Sequence, residues 1–324
     1  MTKTKITSFH IPKSDRHKYC IAIVANMSAG KTTLINAILG QEVLLSRNES
    51  CTFNTYKIKL KPRQKNIRGR IAGEKFTPIS ISKLQEWNIA SCDLVDITGS
   101  PFLPFIVEEN DLVIYDTKGP NYSLDTSKTP CFGLKKRHVD MLVCVLDYRF
   151  LNTSDEYRLL SNVKRFLSNR KNTRLVFFLN QTDTFTGHDA SLLECLRRTR
   201  KEMKKMHFSD FVIIFGSAYQ SLLIRQARQN LLDLDWDQIN FETISSKHSF
   251  LETEYKKLYS KENLSYLPAF LKKYEHFYTA FEEMSEDGSN LAPKRKNLRE
   301  LERTAGILML ENIIFEEMEK CRQR

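Results

Sequence analysis

No apolar run in this 324-residue chain approaches a bilayer span, because the longest, 21–25 and 141–146, are only strand-length. The opening M-T-K-T-K-I-T-S-F-H carries charge but no continuous apolar core, so it does not read as a secretory signal. Cysteines number seven, an odd count without any C-x-x-C pair, which argues against a disulfide framework and against a zinc site. A reducing cytoplasm is the expected setting. The seven histidines show no ligand spacing, and His138 and His188 read as surface or partly buried residues. Internal repeats and low-complexity tracts are absent. What remains is an ordinary globular composition, 41% hydrophobic and 27% charged. The length suits one large α/β domain with a second element, or two modest domains.

The net charge of +11 admits a nucleic acid, an anionic membrane surface or a solvated basic exterior. Lys57, Lys59, Lys61, Arg63 and Lys65 fall at every second position, opposite Tyr56, Ile58 and Leu60, which predicts the wet face of a strand. Arg197, Arg198, Arg200, Lys201, Lys204 and Lys205 predict the polar side of a helix that buries Leu192, Leu196 and Met203. A nucleic-acid partner rests on charge alone and is disfavoured.

Short apolar runs at 19–25, 112–115, 141–146, 175–179 and 212–215 alternate with helical patterns, which predicts a largely parallel sheet covered on both faces. In 155–170 Leu159, Val163, Phe166 and Leu167 share one side at helical spacing. Two further strands, 54–61 and 93–98, are expected to pair antiparallel at the sheet edge. After Gln220 charged helical patterns take over, with a linker at 286–290 and a final helix over 297–320 in which Gly306 is the weak spot.

Residues 25–33 read A-N-M-S-A-G-K-T-T, between a strand-like run and a helical pattern at 34–39. That is the setting of a phosphate-binding loop. The backbone N–H groups of Asn26, Met27, Ser28, Ala29, Gly30, Lys31, Thr32 and Thr33 are expected to face a nucleoside triphosphate, with the positive end of the helix dipole behind them. Gly30 lets the backbone approach, the Lys31 ammonium reaches the β and γ phosphates, and the Thr32 hydroxyl ligates Mg²⁺. Ala25 stands where the motif has its first glycine.

Asp116-Thr117-Lys118-Gly119 follows a core strand, so Asp116 can hold Mg²⁺ through water while the Gly119 N–H approaches the γ-phosphate. Asn180-Gln181-Thr182-Asp183 follows another. A carboxylate at Asp183 accepts from both the ring N–H and the exocyclic amine of guanine, whereas adenine presents an acceptor there. Gln181 stands where guanine sites usually carry a lysine. Ser217 and Ala218 are expected to complete the base pocket through backbone donors. Thr52, in the polar loop L-S-R-N-E-S-C-T, is the candidate lid residue, its hydroxyl on Mg²⁺ and its carbonyl on the attacking water.

Together A-N-M-S-A-G-K-T-T-L-I-N-A-I-L-G, R-N-E-S-C-T, D-T-K-G-P-N, L-N-Q-T-D and G-S-A-Y resemble the dynamin superfamily, especially its bacterial members. The similarity covers 18–225 and, more loosely, the helix around 303–310. It implies a three-layer α/β GTPase domain with a mostly parallel sheet and a helical C-terminal extension. It also implies that Ser28 helps hold a cation such as K⁺ or the attacking water, and that Thr52 is the first switch threonine. Met27 replaces a water-positioning glutamine of animal dynamins, and Lys118 replaces a usual proline, so activation by head-to-head dimerisation of the GTPase domains is expected.

The expected organisation is an N-terminal segment 1–17, a GTPase core 18–225 and a helical extension 226–324 that completes the domain or forms a neck. The resemblance further implies a Mg²⁺-dependent hydrolase cycling between GTP and GDP, cytoplasmic or peripheral to a membrane, with a stalk supplied by another chain. The alternative is a GTP-binding switch or interaction module with little hydrolysis.

Overall fold

A computed structural model describes residues 18–45, 55–61, 64, 66–71, 73–89, 94–107, 112–117, 132, 134, 137–150, 153–184, 192–229, 272–274, 302 and 305–322. The expectations at Thr52, at Lys118 and Gly119, at Arg63 and Lys65 and at the 286–290 linker lie outside these residues.

The apolar runs form the centre of a 9-stranded sheet. Its strands are β1 (Tyr19–Ala25), β2 (Thr55–Leu60), β3 (Arg68–Ile71), β4 (Thr77–Pro78), β5 (Leu94–Gly99), β6 (Leu112–Asp116), β7 (Met141–Asp147), β8 (Arg174–Asn180) and β9 (Phe211–Phe215). They lie in the order β4-β3-β5-β2-β6-β1-β7-β8-β9. Five of the eight pairings are parallel, which makes the sheet mostly parallel as expected.

The central strands are apolar throughout because both of their faces are covered. Along β1, Tyr19, Ile21, Ile23 and Ala25 enter one core while Cys20, Ala22 and Val24 enter the other. Successive side chains alternate across a strand, so a covered sheet erases the polar half of the period. Helices α1 (Lys31–Leu39), α5 (Ala218–Arg228) and α6 (Ile307–Arg322) fill the first core. Helices α3 (Ser154–Leu167) and α4 (Leu192–Lys205) fill the second. The result is three layers. In α3 the Thr153 side chain caps the Glu156 N–H, Asp155 and Glu156 stand in the first turn, and Lys164 and Arg165 in the last, each charge matched to its end of the dipole. Leu196 and Met203 are buried on α4 as expected. Among the described residues no helix is long and apolar enough to cross a membrane.

The pairing expected of the 54–61 and 93–98 strands needs correction. β2 and β5 run parallel, and β2 is antiparallel to β6 instead. The chain between them forms β3, β4 and helix α2 (Ile81–Ile89), which returns it to the same end of the sheet before β5 begins. The true edge is the short β3–β4 hairpin, whose residues Arg68 and Arg70 hide its period. The expected final helix also breaks: Gly306 has φ 81 and α6 starts one residue later.

Helix α6 is joined to the phosphate-loop helix through buried charge. Arg225 on α5, fully buried, donates to Glu302 at 2.7 Å, to both Glu311 carboxylate oxygens at 2.7 and 2.6 Å, and to the Ala37 carbonyl at 2.8 Å. Its guanidinium lies over the Phe102 ring, and the Tyr274 hydroxyl donates to Glu302. Burial pushes the Glu311 carboxyl up against the pull of Arg225.

Candidate functional site

Strand register brings the carboxyl ends of five strands to one side of the sheet. Ile23 on β1 lies beside Asp116 on β6, Ala25 beside Val145 on β7, Asp147 on β7 beside Asn180 on β8, and Leu179 beside Phe215 on β9. β1 lies between β6 on one side and β7 on the other, where the strand order reverses, so ligands are expected where the loops leave these ends.

The missing first glycine of the phosphate loop is absorbed without strain, because Ala25 is the last residue of β1 and keeps strand geometry. The left-handed positions come later, at Ser28 with φ 60 and Gly30 with φ 87. Ala29 N–H donates to the Asn26 carbonyl and closes the turn. Gly30 is the N-cap of α1, and the first turn holds no acidic residue. The positive helix end is thus left without an anionic neighbour of its own. A Cβ at Gly30 would strike the Asn180 side-chain amide, so both φ and space demand glycine.

Lys31 reaches inward and pairs with Asp116 Oδ1. Asp116 is fully buried, and its Oδ2 has no hydrogen-bond partner. Burial pushes the Asp116 carboxyl above the ordinary carboxylate value, opposed by Lys31. An orphaned, buried carboxylate oxygen beside a phosphate loop fits a hard divalent cation or a water bound to one. Thr32, half-buried, follows Lys31 on the first turn of α1. Thr117 fastens this corner, its hydroxyl donating to the Ile23 carbonyl at 2.7 Å. Elsewhere, no group of three or more His, Cys, Asp or Glu suited to a metal occurs among the described residues.

Asn180 connects the second motif to the first. Its amide donates to the Ala29 carbonyl at 2.8 Å, and its Oδ1 accepts from the Ala218 N–H at 2.9 Å. Gln181, with φ 68, donates to the Ser28 carbonyl at 3.0 Å. Asp183 follows in a 3-10 turn, half-buried. The expected backbone donors of the base pocket are engaged within the protein: Ser217 N–H donates to the Ala305 carbonyl at 2.8 Å and Ala218 N–H to Asn180. The Ser217 side chain caps α5 through the Gln220 N–H. These two residues therefore hold Asn180 and the 305–306 turn in place, a use that no local pattern signals.

Sequence reasoning also missed Asp147 and Arg149. Arg149 donates from Nε to Asp147 Oδ1 at 3.0 Å, from Nη2 to Asp147 Oδ2 at 2.7 Å, and from Nη2 to Gln181 Oε1. The signal was present, because Asp147 ends an apolar strand just as Asp116 does.

Residues 21–181 match the dynamin family. No curated protein matches the chain. Among solved structures, the chain is similar to a bacterial dynamin described as an oligomerised pair for long-range sensing and tethering of membranes. That likeness has a TM-score of 0.48 at 15% identity, covering 84% of this chain and 48% of that one. A second structure of a bacterial dynamin pair gives 0.47 at 14% identity, covering 94% of this chain and 57% of the other. A variant of Era from Aquifex aeolicus bound to GDP and AlF₄⁻ gives 0.35 at 15% identity, covering 66% of this chain and 56% of that one. The chain thus spans about half the length of the bacterial dynamin chains, 48% and 57%.

Proposed function

In its GTPase-domain portion the chain belongs to the dynamin family, and from that premise we propose that it binds GTP across the carboxyl ends of β1, β6 and β8 and hydrolyses it by in-line attack of water. The observation that carries this reading is the contact between the two motifs. Asn180 and Gln181 touch the phosphate loop from 151 and 153 residues away, so the base-reading and phosphate-holding segments form one surface. Asp183 reads the guanine edge, and an adenine there leaves a half-buried carboxylate unmatched, a discrimination of roughly 10⁴-fold.

At the other end, an arriving triphosphate competes with Asp116 for the Lys31 ammonium. Asn26, Met27, Ser28, Ala29, Gly30 and Thr33 supply loop N–H groups, and Thr32, Asp116 and Thr52 would hold Mg²⁺. When bound, the ion neutralises charge on the β and γ phosphates. Gly119 contributes its N–H to the γ-phosphate. Catalysis is mainly electrostatic, from preorganised donors. Family membership supports activation by a second GTPase domain, which would order the lid that carries Thr52. The same reading includes a K⁺ ion at Ser28, a stalk partner and an anionic membrane surface, as expectations carried over from the resemblance in the sequence.

The test measures nucleotide binding and phosphate release against protein concentration for GTP, ATP and XTP, in the wild type and in Asp183→Asn. The expected result is GTP-selective turnover whose specific rate rises with concentration, shifted toward XTP in the variant. Equal turnover of ATP and GTP removes the guanine assignment. GTP binding without phosphate release, at high concentration and with K⁺ present, favours a switch module over an enzyme.

A further inference from the structure

A guanine site needs something to cover the base and to tie it to the phosphate loop, and this chain has Gln181 where a lysine usually stands. A glutamine side chain is shorter and neutral. It has, however, both a donor and an acceptor, and the structure uses both. Its amide donates to the Ser28 carbonyl at 3.0 Å, and its Oε1 accepts from Arg149. A lysine has no acceptor and makes only the first of these bonds.

Arg149 arrives from the neighbouring strand. Asp147 ends β7 level with Asn180 on β8, so the residue two places on lies beside the segment from Gln181 to Asp183. The arginine is fixed there by a two-pronged contact with Asp147, at 3.0 and 2.7 Å, and its backbone N–H donates to the same carboxylate at 3.0 Å. Such a fork locks the plane of the guanidinium, which a single contact would not do. The Arg149 side chain remains 40% exposed while Asp147 is 11% exposed. The cation is therefore at the surface and its anchor below it. The Tyr148 hydroxyl also approaches the Thr184 hydroxyl, so the two loops touch twice.

We propose that Gln181 and Arg149 act as one composite residue in place of the single lysine: Gln181 bridges to the phosphate loop, and the Asp147-held guanidinium supplies the charge and the flat surface that cover the guanine nucleotide beside Asp183. This rests on the GTP-binding reading above and names a nucleotide-binding residue, Arg149, that lies in none of its sequence motifs. A planar guanidinium is suited to stack on a purine ring, and its charge offsets the nucleotide's own. The composite must be coupled, because the Arg149–Gln181 bond exists only while position 181 carries an acceptor.

A double-mutant cycle on GDP binding to the full chain tests this, using Arg149→Ala, Gln181→Lys and the double variant, with thermal unfolding as a check on folding. Arg149→Ala is expected to weaken GDP binding about tenfold in the Gln181 background, the size of losing one charged contact. In the Gln181→Lys background, where lysine carries the charge itself, the same change is expected to cost about twofold or less, and Arg149→Lys is expected to be intermediate between arginine and alanine. The proposal is overturned if Arg149→Ala binds GDP as the wild type does, or if its penalty is equal in both backgrounds. Failure of the underlying reading looks different: GDP then fails to bind the wild type, or binds it no better than ADP.

Discussion

Replacing Lys31 with methionine isolates the electrostatics of the phosphate loop from nucleotide binding. Lys31 and Asp116 form a buried pair, with side chains 9% and 1% exposed, and the second Asp116 oxygen has no partner. Removing one member of such a pair costs about 3–5 kcal/mol, because a charge is left buried alone. Protonation offers Asp116 an escape. Burial already raises its carboxyl pKa and Lys31 opposes that rise, so in Lys31→Met the value climbs further. A carboxyl whose folded pKa lies above its unfolded value adds stability below the unfolded value, and loses that contribution as pH rises through the folded one. The penalty of Lys31→Met is therefore smallest near the ordinary carboxylate value of about 4 and reaches full size above the raised Asp116 value. Urea unfolding of the nucleotide-free protein between about pH 5 and pH 8 follows this directly. Adding Asp116→Asn to Lys31→Met should recover about 2 kcal/mol or more at the upper end, and progressively less toward the lower. A Lys31→Met protein that stays within about 1 kcal/mol of the wild type throughout, or a second substitution that deepens the loss, would refute the buried-pair account.

Asn180→Ala leaves the Ala29 carbonyl and the Ala218 N–H unpaired in the interior, at roughly 1–3 kcal/mol for each group; chemical denaturation should show the loss, and nucleotide affinity should fall with it. Gly306→Ala forces a Cβ into the Phe215 carbonyl and within 2.6 Å of the Gly216 Cα at a φ of 81, so we expect destabilisation above about 4 kcal/mol and poor recovery of folded protein. A Gly306→Ala protein that melts with the wild type would show that the turn before α6 is free to move.

The central strands were legible in the sequence because a sheet covered on both faces leaves unbroken apolar runs, and β1, β7 and β8 begin and end within a residue of where those runs do. The phosphate loop and Asn180 were legible because their chemistry admits few residue types. The β3–β4 hairpin was not: four residues reading R-G-R-I and a two-residue partner give no period to detect. The direction of β5 depended on a helix, α2, whose pattern is weak. Arg149 escaped because nothing in a one-dimensional string says that the end of β7 lies level with the end of β8. The engagement of Ser217 and Ala218 escaped for a similar reason, since their partners, Ala305 and Asn180, are set by tertiary contact.

The Arg225 cluster has a consequence for how the polypeptide is made. Glu311 lies 86 residues beyond the arginine it neutralises. At synthesis rates of about 5–20 residues per second, a ribosome needs roughly 4–17 s to reach it after Arg225 has been added. Through most of that interval the sheet and its phosphate loop can be complete in sequence, yet the guanidinium meant for the interior has no carboxylate to meet until Glu302, 77 residues on, is added. The nascent domain must wait for α6, with the floor beneath the nucleotide site open to water and to chaperones.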